Sequence, residues 1–226
     1  MTREQFLEEL PKLAEGYKPA PETINKISNL SLVMFIGPTG VGKTTLIKQS
    51  GFNYVPSDNT RLPRPGEIEG VDFYFRQDYD QVVEDIKLGR FLQIAIDGSG
   101  DLKATRAAAY PDSGTIAMAI MWNVITQFRN LGFKKTISAF IVPPDFEEWQ
   151  RRIAKQDLSK DQLQKRLAEA KKSFSFGLTD PQVHLILNDQ IKLALDQIKG
   201  LAEGRVDIGR EASARRDAQN ILDRID

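Results

Sequence analysis

Eight residues, Gly37 to Thr44, read GPTGVGKT and follow the apolar run Leu30-Ser31-Leu32-Val33-Met34-Phe35-Ile36. The pattern is G-x-x-x-x-G-K-[ST] between a buried strand and a helix, in which backbone N–H groups wrap a phosphate and the helix start faces it. Gly37, Gly40 and Gly42 permit backbone conformations and approach distances that a Cβ would block. Thr39, Val41 and Thr45 fill the remaining positions of the cradle. Lys43 can reach the β and γ phosphates, and the Thr44 hydroxyl can ligate Mg2+. This chemistry belongs to a nucleotide-phosphate site.

A second segment, Ser57 to Phe75, reads SDNTRLPRPGEIEGVDFYF. Arg61 and Arg64, three apart on a loop stiffened by Pro63 and Pro65, can present two guanidinium forks to one phosphate dianion. Glu67 can orient them. At this point the chain resembles the guanylate kinase family, which follows its phosphate loop with S-x-T-T-R-x-P-R-x-G-E-x-x-G-x-D-Y-x-F. Ser57, Thr60, Arg61, Pro63, Arg64, Gly66, Glu67, Gly70, Asp72 and Phe75 match that pattern.

The resemblance covers most of residues 30 to 190 and implies an α/β P-loop NTPase fold. Its three layers surround a central parallel sheet, with an inserted nucleoside-monophosphate module and a helical lid. It implies an ATP-dependent kinase that moves the γ-phosphoryl of ATP to a nucleoside monophosphate, GMP favoured, with Mg2+. Lys43, Arg152 and Arg166 would neutralise charge during transfer, the last two from a lid resembling Glu147 to Ala170. Ser57, Arg61, Arg64, Glu67 and Gln93 would bind the monophosphate. Asn188 and Asp189, at the end of the last strand, would lie on the adenine side.

Several positions depart from the family pattern. Phe73 stands where the family has a tyrosine, and the adjacent Tyr74 would replace it if the strand shifted by one residue. The family's F-L-E, whose carboxylate accepts from guanine N1–H and N2–H, reads Phe91-Leu92-Gln93. A neutral amide accepts one bond and donates another, so it discriminates guanine less sharply. The segment Ile116 to Trp122 carries no acid where the family ends a strand in an aspartate pair. Asp97 ends an apolar run before Gly98-Ser99-Gly100 and reads as a turn former, with a metal-orienting acid as the alternative. His184 reads as structural, and Met118, Met121 and Trp122 as core, with Trp122 a candidate base-stacking exception.

Those side chains need elements to hold them. The spacing of Phe6, Leu7, Leu10, Leu13 and Ala14 predicts an amphipathic helix over about 3 to 15, outside the main domain. Residues 1–29 thus form an N-terminal helical extension. Residues 30–190 form the kinase-like domain, with its insert at about 53–105 and its lid at about 147–171, and residues 191–226 form a C-terminal helical segment. The lid reads as two charged helices joined near Asp157 to Lys160.

The 226 residues are 41% hydrophobic and 27% charged, enough for one α/β domain with a sizeable core. Lys plus Arg equals Asp plus Glu at 31 each, so no global field draws nucleic acid or an anionic membrane. No cysteine is present, which excludes a disulfide framework and thiolate metal sites. The charged N-terminus does not read as a signal peptide, and no apolar run approaches the roughly 20 residues of a membrane span. A cytoplasmic protein with nucleotide partners is expected, its protein partners unknown. Two other readings stay open: a catalytically weakened binding module, and a nucleotide-gated adaptor using the N-terminal helix and the Gly204 to Asp226 tail.

Overall fold

The computed structural model describes residues 1–97, 99–156 and 158–225, so the predicted roles of Gly98, Asp157 and Asp226 lie outside the described residues. Along the chain the elements are α1 (Arg3–Ala14), α2 (Pro21–Asn25), β1 (Leu30–Ile36), α3 (Lys43–Gln49), β2 (Asn53–Tyr54) and β3 (Ser57–Asn59). They continue with β4 (Phe73–Phe75), α4 (Tyr79–Lys87), β5 (Phe91–Ile96), β6 (Leu102–Arg106) and β7 (Gly114–Ala119). The remainder is α5 (Ile125–Arg129), β8 (Lys135–Val142), α6 (Phe146–Ala154), α7 (Lys160–Thr179), β9 (Val183–Leu187), α8 (Ile191–Ala202) and α9 (Ile208–Leu222).

The chain divides into two compact units. One holds Met1–Ser31, Val55–Ile116 and Thr126–Lys135; the other holds Leu32–Tyr54, Ala117–Ile125 and Thr136–Asp226. Among the described residues, no helix is long and apolar enough to cross a membrane.

A five-stranded sheet in the order β2-β7-β1-β8-β9 forms the nucleus of the second unit. The β1 sequence LSLVMFI is apolar almost throughout because a central strand of such a sheet is covered on both faces. Strands β8 and β9 run parallel, pairing Ser138 with Val183 through Val142 with Leu187. The crossover between them is α6 and α7. Each starts on a side-chain cap: Asp145 accepts from the Glu148 amide, and Ser159 exchanges bonds with Gln162 in a capping box. Helix α7 continues to Thr179, beyond the predicted end of the lid, because its second half buries Ala170, Ser173, Phe174 and Gly177.

The first unit is built on a four-stranded sheet, β4-β3-β6-β5. Paired residues share a face, so the register of Gln93 with Thr105, Asn59 with Lys103, and Ser57 with Phe73 puts all six on one side. The other side carries Ile94, Leu102 and Ala104 into a core with Phe6, Leu10, Val82, Val83 and Ile86 of α1 and α4. Helix α1 is therefore part of this unit's core, a closer integration than its amphipathic spacing alone predicts. The edge of β5 is closed by Tyr17, whose hydroxyl donates to the Phe91 carbonyl and accepts from the Phe91 amide. Burial of that phenol pushes its pKa up to about 12.

Gly177 of α7 sits against Phe140 of β8, and a Cβ there would come within 2.7 Å of the ring. Phe140 is fully buried and packs on Phe174 at 5.6 Å between centroids, so the ring has no room to retreat. An ordinary helical Gly→Ala change gains roughly 1 kcal/mol, whereas overpacking a close-packed core costs about 1–3 kcal/mol. Gly177→Ala should therefore lower stability by up to about 2 kcal/mol, read by denaturant unfolding with an unchanged slope. A stabilised variant would mean that the helix–sheet contact is looser than this.

Candidate active site

The loop between β1 and α3 is fixed from its carbonyl side. Lys43 Nζ donates to the carbonyls of Gly37 and Pro38, the latter at 2.7 Å. The buried Trp149 indole donates to the Thr39 carbonyl at 2.9 Å. Asn188 Nδ2 donates to the Val41 carbonyl at 2.8 Å, joined by Arg152 Nη1 at 3.4 Å. The Gly42 carbonyl accepts from the Leu46 amide as the first turn of α3. Holding these carbonyls from behind gives the loop the form in which backbone N–H groups wrap an anion.

Glycine is needed at two places. Gly42 has φ +99°, and a Cβ on it would lie 2.4 Å from Asn188 Nδ2. Gly40 has φ +81°, and a Cβ on it would press on Ile153 at 3.0 Å.

The loop borders a cavity of about 620 Å³, lined among others by Thr39, Lys43, Thr44, Arg152, Asn188 and Asp189. Thr45, Lys155, Gln156 and Ile191 also face it. Arg152 is oriented by Glu148, its Nε 2.7 Å from Oε1, and Glu148 is held below the usual carboxylate range by its bonds to Arg152 and Arg151. Arg166 does not line this cavity. It shares a neighbourhood with Lys43 through Glu169, whose carboxylate feels both charges. Gly37 and Val41 shape the loop from below, Val41 being fully buried.

The predicted acceptor residues gather in the other unit, on the polar face of its sheet. Arg61 forms a two-point contact with Glu67, at 2.7 and 2.5 Å, and lies 5.1 Å from the Phe73 ring centroid and 5.5 Å from that of Phe75. The Arg61 bond, together with the Arg64 amide, holds Glu67 below the usual carboxylate range against the opposing effect of burial. Arg64 itself is exposed. Glu67 thus orients Arg61 and the loop backbone. Asn59 accepts from the Arg61 amide at 3.2 Å, which leaves its Nδ2 buried without a partner. Gln93, 7% exposed, likewise has a buried Nε2 without a partner. Two orphaned amides on one sheet face mark a surface built for a polar ligand.

Tyr74 does not replace the missing tyrosine. It pairs with Asp58 on the opposite face, where the Arg106 guanidinium lies 4.9 Å above its ring. On that side Arg76 and Arg106 enclose the fully buried Asp58, and Arg76 and Arg90 bind Asp85, so the roughly 480 Å³ hollow beside them is walled by a paired ion network. Asp97 is a turn former, accepting from the amides of Ser99 and Asp101. Asp101 is buried and bound by both nitrogen–oxygen contacts of Arg3, at 2.8 and 2.9 Å. His184 contacts Glu211 at 3.3 Å, and Trp122 packs on Phe176 at 6.0 Å between centroids. Trp149, the buttress of the loop, was not legible as a site residue, since its partner Thr39 is 110 positions away.

A strand, a glycine loop with its carbonyls engaged and a cavity at its mouth define a P-loop nucleotide-binding protein. The sequence profile described as guanylate kinase matches residues 29–204. The chain belongs to the guanylate kinase family. It is 31% identical over 179 residues to a guanylate kinase of Wolbachia pipientis wMel, covering 75% of this chain and 88% of that one. It is 32% identical over 203 residues to guanylate kinase 1 of Oryza sativa subsp. japonica, covering 84% of this chain and 48% of that protein. The crystal structure of a guanylate kinase from Anaplasma phagocytophilum superposes with a TM-score of 0.55 at 20% identity, over 83% of this chain and 92% of that chain, a likeness of fold.

Lys43→Ala should abolish triphosphate binding while the circular dichroism spectrum stays that of the wild type, because a phosphate oxygen would offer the ammonium a charge-assisted bond that alanine cannot make. A folded variant with wild-type ATP affinity would remove Lys43 from the site.

Proposed function

We propose that the chain is an ATP-dependent kinase that transfers the γ-phosphoryl of ATP to GMP. The observation that carries this reading is the glycine loop, whose carbonyls are held by Lys43, Trp149 and Asn188, the form in which its amides would receive a triphosphate. Family membership supplies the reaction class, and the intact loop favours turnover over a role restricted to binding.

Phosphoryl transfer asks the protein chiefly for position and for positive charge around the moving group. Lys43 and Arg152 supply that charge beside the ATP phosphates, and Arg166 adds to it from α7. Arg61, held by Glu67, and Arg64 clamp the acceptor phosphate from the loop after β3, with Ser57 on β3 itself. Gln93 meets the base. Asn188 and Asp189 bound the adenine side of the donor cavity.

Mg2+ suits this donor set in one way. Among the described residues no group of three or more His, Asp or Glu could cage a metal, so the ion would be held by the Thr44 hydroxyl, nucleotide phosphates and water, as Mg2+ commonly is. When bound it neutralises phosphate charge.

Arg61→Ala and Arg64→Ala should each raise the KM for GMP by roughly 2 kcal/mol in free-energy terms, the weight of a charge-assisted fork, with ATP affinity nearly unchanged. Calorimetry showing ATP affinity lost and GMP affinity intact would reverse the assignment.

A carboxylate at position 93 would take both guanine donors with charge assistance, whereas the amide must spend half its edge donating. Gln93→Glu should therefore tighten GMP binding and raise its preference over AMP by about 1–3 kcal/mol. The check is a coupled ADP-release assay over GMP and AMP. An unchanged ratio would show that Gln93 does not face the base.

A further inference from the structure

We propose that helix α9 is a working part of the ATP site, with Arg210 as the positioning residue that fixes the end of β9. The identity of the nucleotide rests on the function proposed above; the geometry does not. Helix α9 begins at Ile208, beyond the last residue of the chain that matches the family profile. It nevertheless lies along β9 and α7, burying Ala214, Ala218 and Ile221.

Arg210 sits in its first turn and reaches past the strand end. Nη2 donates to the Leu187 carbonyl at 2.8 Å and to Asp189 Oδ1 at 2.5 Å, and Nη1 lies 3.5 Å from Asp189 Oδ2. Leu187, Asn188 and Asp189 are consecutive. The guanidinium therefore grips the residues on either side of Asn188, and Asn188 in turn holds the Val41 carbonyl of the phosphate loop. Asn188 and Asp189 both line the cavity at the loop. One side chain from outside the family-matching segment thus sets the position of a cavity wall and, through one amide, of the loop itself.

The state of Asp189 agrees. Burial pushes its pKa up, but the Arg210 bond and the Gln190 amide outweigh that and hold it below the usual range, so it stays an anion for Arg210 to grip. Two further polar ties of α9 join residues that do not line the cavity: Glu211 meets His184, and Arg215 Nη1 donates to the Leu178 carbonyl at 2.9 Å.

That separation supplies the control. In the full-length chain, ATP binding by calorimetry and the KM values for ATP and GMP are compared for wild type, Arg210→Ala, Arg210→Lys and Arg215→Ala. Arg210→Ala should weaken ATP binding and raise the ATP KM by about tenfold while the GMP KM moves less than about twofold, the pattern of a lost charge-assisted tie acting on one site. Arg210→Lys should recover part of that loss, and Arg215→Ala should bind ATP like the wild type. Wild-type ATP affinity in Arg210→Ala overturns the proposal. So does an equal loss in Arg215→Ala, which would reduce the effect to general docking of the helix. If the wild type binds ATP in an Arg210-dependent way but transfers no phosphoryl group, the proposed function falls and this inference stands. If the wild type binds no ATP, both fall.

Discussion

The donor site depends on one constraint: a short loop must present its N–H groups outward while every carbonyl it turns inward finds a partner. An unsatisfied buried carbonyl costs about 1–3 kcal/mol, so several of them would make the cradle collapse into some other turn. The chain meets the constraint with side chains drawn from across the sequence. Lys43 serves Gly37 and Pro38, Trp149 serves Thr39, and Asn188 serves Val41. The glycines follow from the same geometry, because Asn188 can reach Val41 only by crossing the place where a Cβ of residue 42 would stand.

The acceptor side obeys a different rule, the period of two along a strand. Ser57 and Asn59 face the polar side, and Asp58 between them faces the back, where Arg76 and Arg106 neutralise it. Burial raises the pKa of Asp58 despite those two arginines, the mark of a carboxylate deep in the fold. One strand of three residues thus anchors the module with one side chain and offers its neighbours to a ligand. A register slip of one residue would exchange these roles, which is why the back-face ion network matters to a site it does not touch.

Legibility in the sequence followed distance along the chain. The phosphate loop and the Arg61, Arg64 and Glu67 cluster are local, within eight and seven residues, so their spacing already carried their chemistry. The strand β1 was equally plain. What could not be read were partners brought together by folding: Trp149 on Thr39, Asn188 on Val41, Arg3 on Asp101 and Arg210 on Asp189. Tyr74 shows the same limit within a strand, since only the pairing register decides which of Phe73 and Tyr74 meets the polar face. Helix α7 outran its predicted lid because burial of Phe174 and Gly177, a tertiary effect, sustains it where the charged pattern fades.

Cations in both sites already have partners before any nucleotide arrives: Arg61 has Glu67, Arg152 has Glu148, and Lys43 has two loop carbonyls. Such pairing helps binding in one way and opposes it in another. Holding a long side chain in place in advance removes up to about 1.5–2 kcal/mol of ordering cost per residue. The opposing effect depends on the donor. An arginine has five N–H donors, so a carboxylate that takes two leaves an edge for phosphate, and orientation comes without competition. Lys43 has three, and the two loop carbonyls it meets are neutral. Exchanging a carbonyl for a phosphate oxygen replaces a bond with one charged partner by a bond in which both partners are charged. The loop thus holds its lysine with acceptors strong enough to position it and weak enough to yield to the ligand.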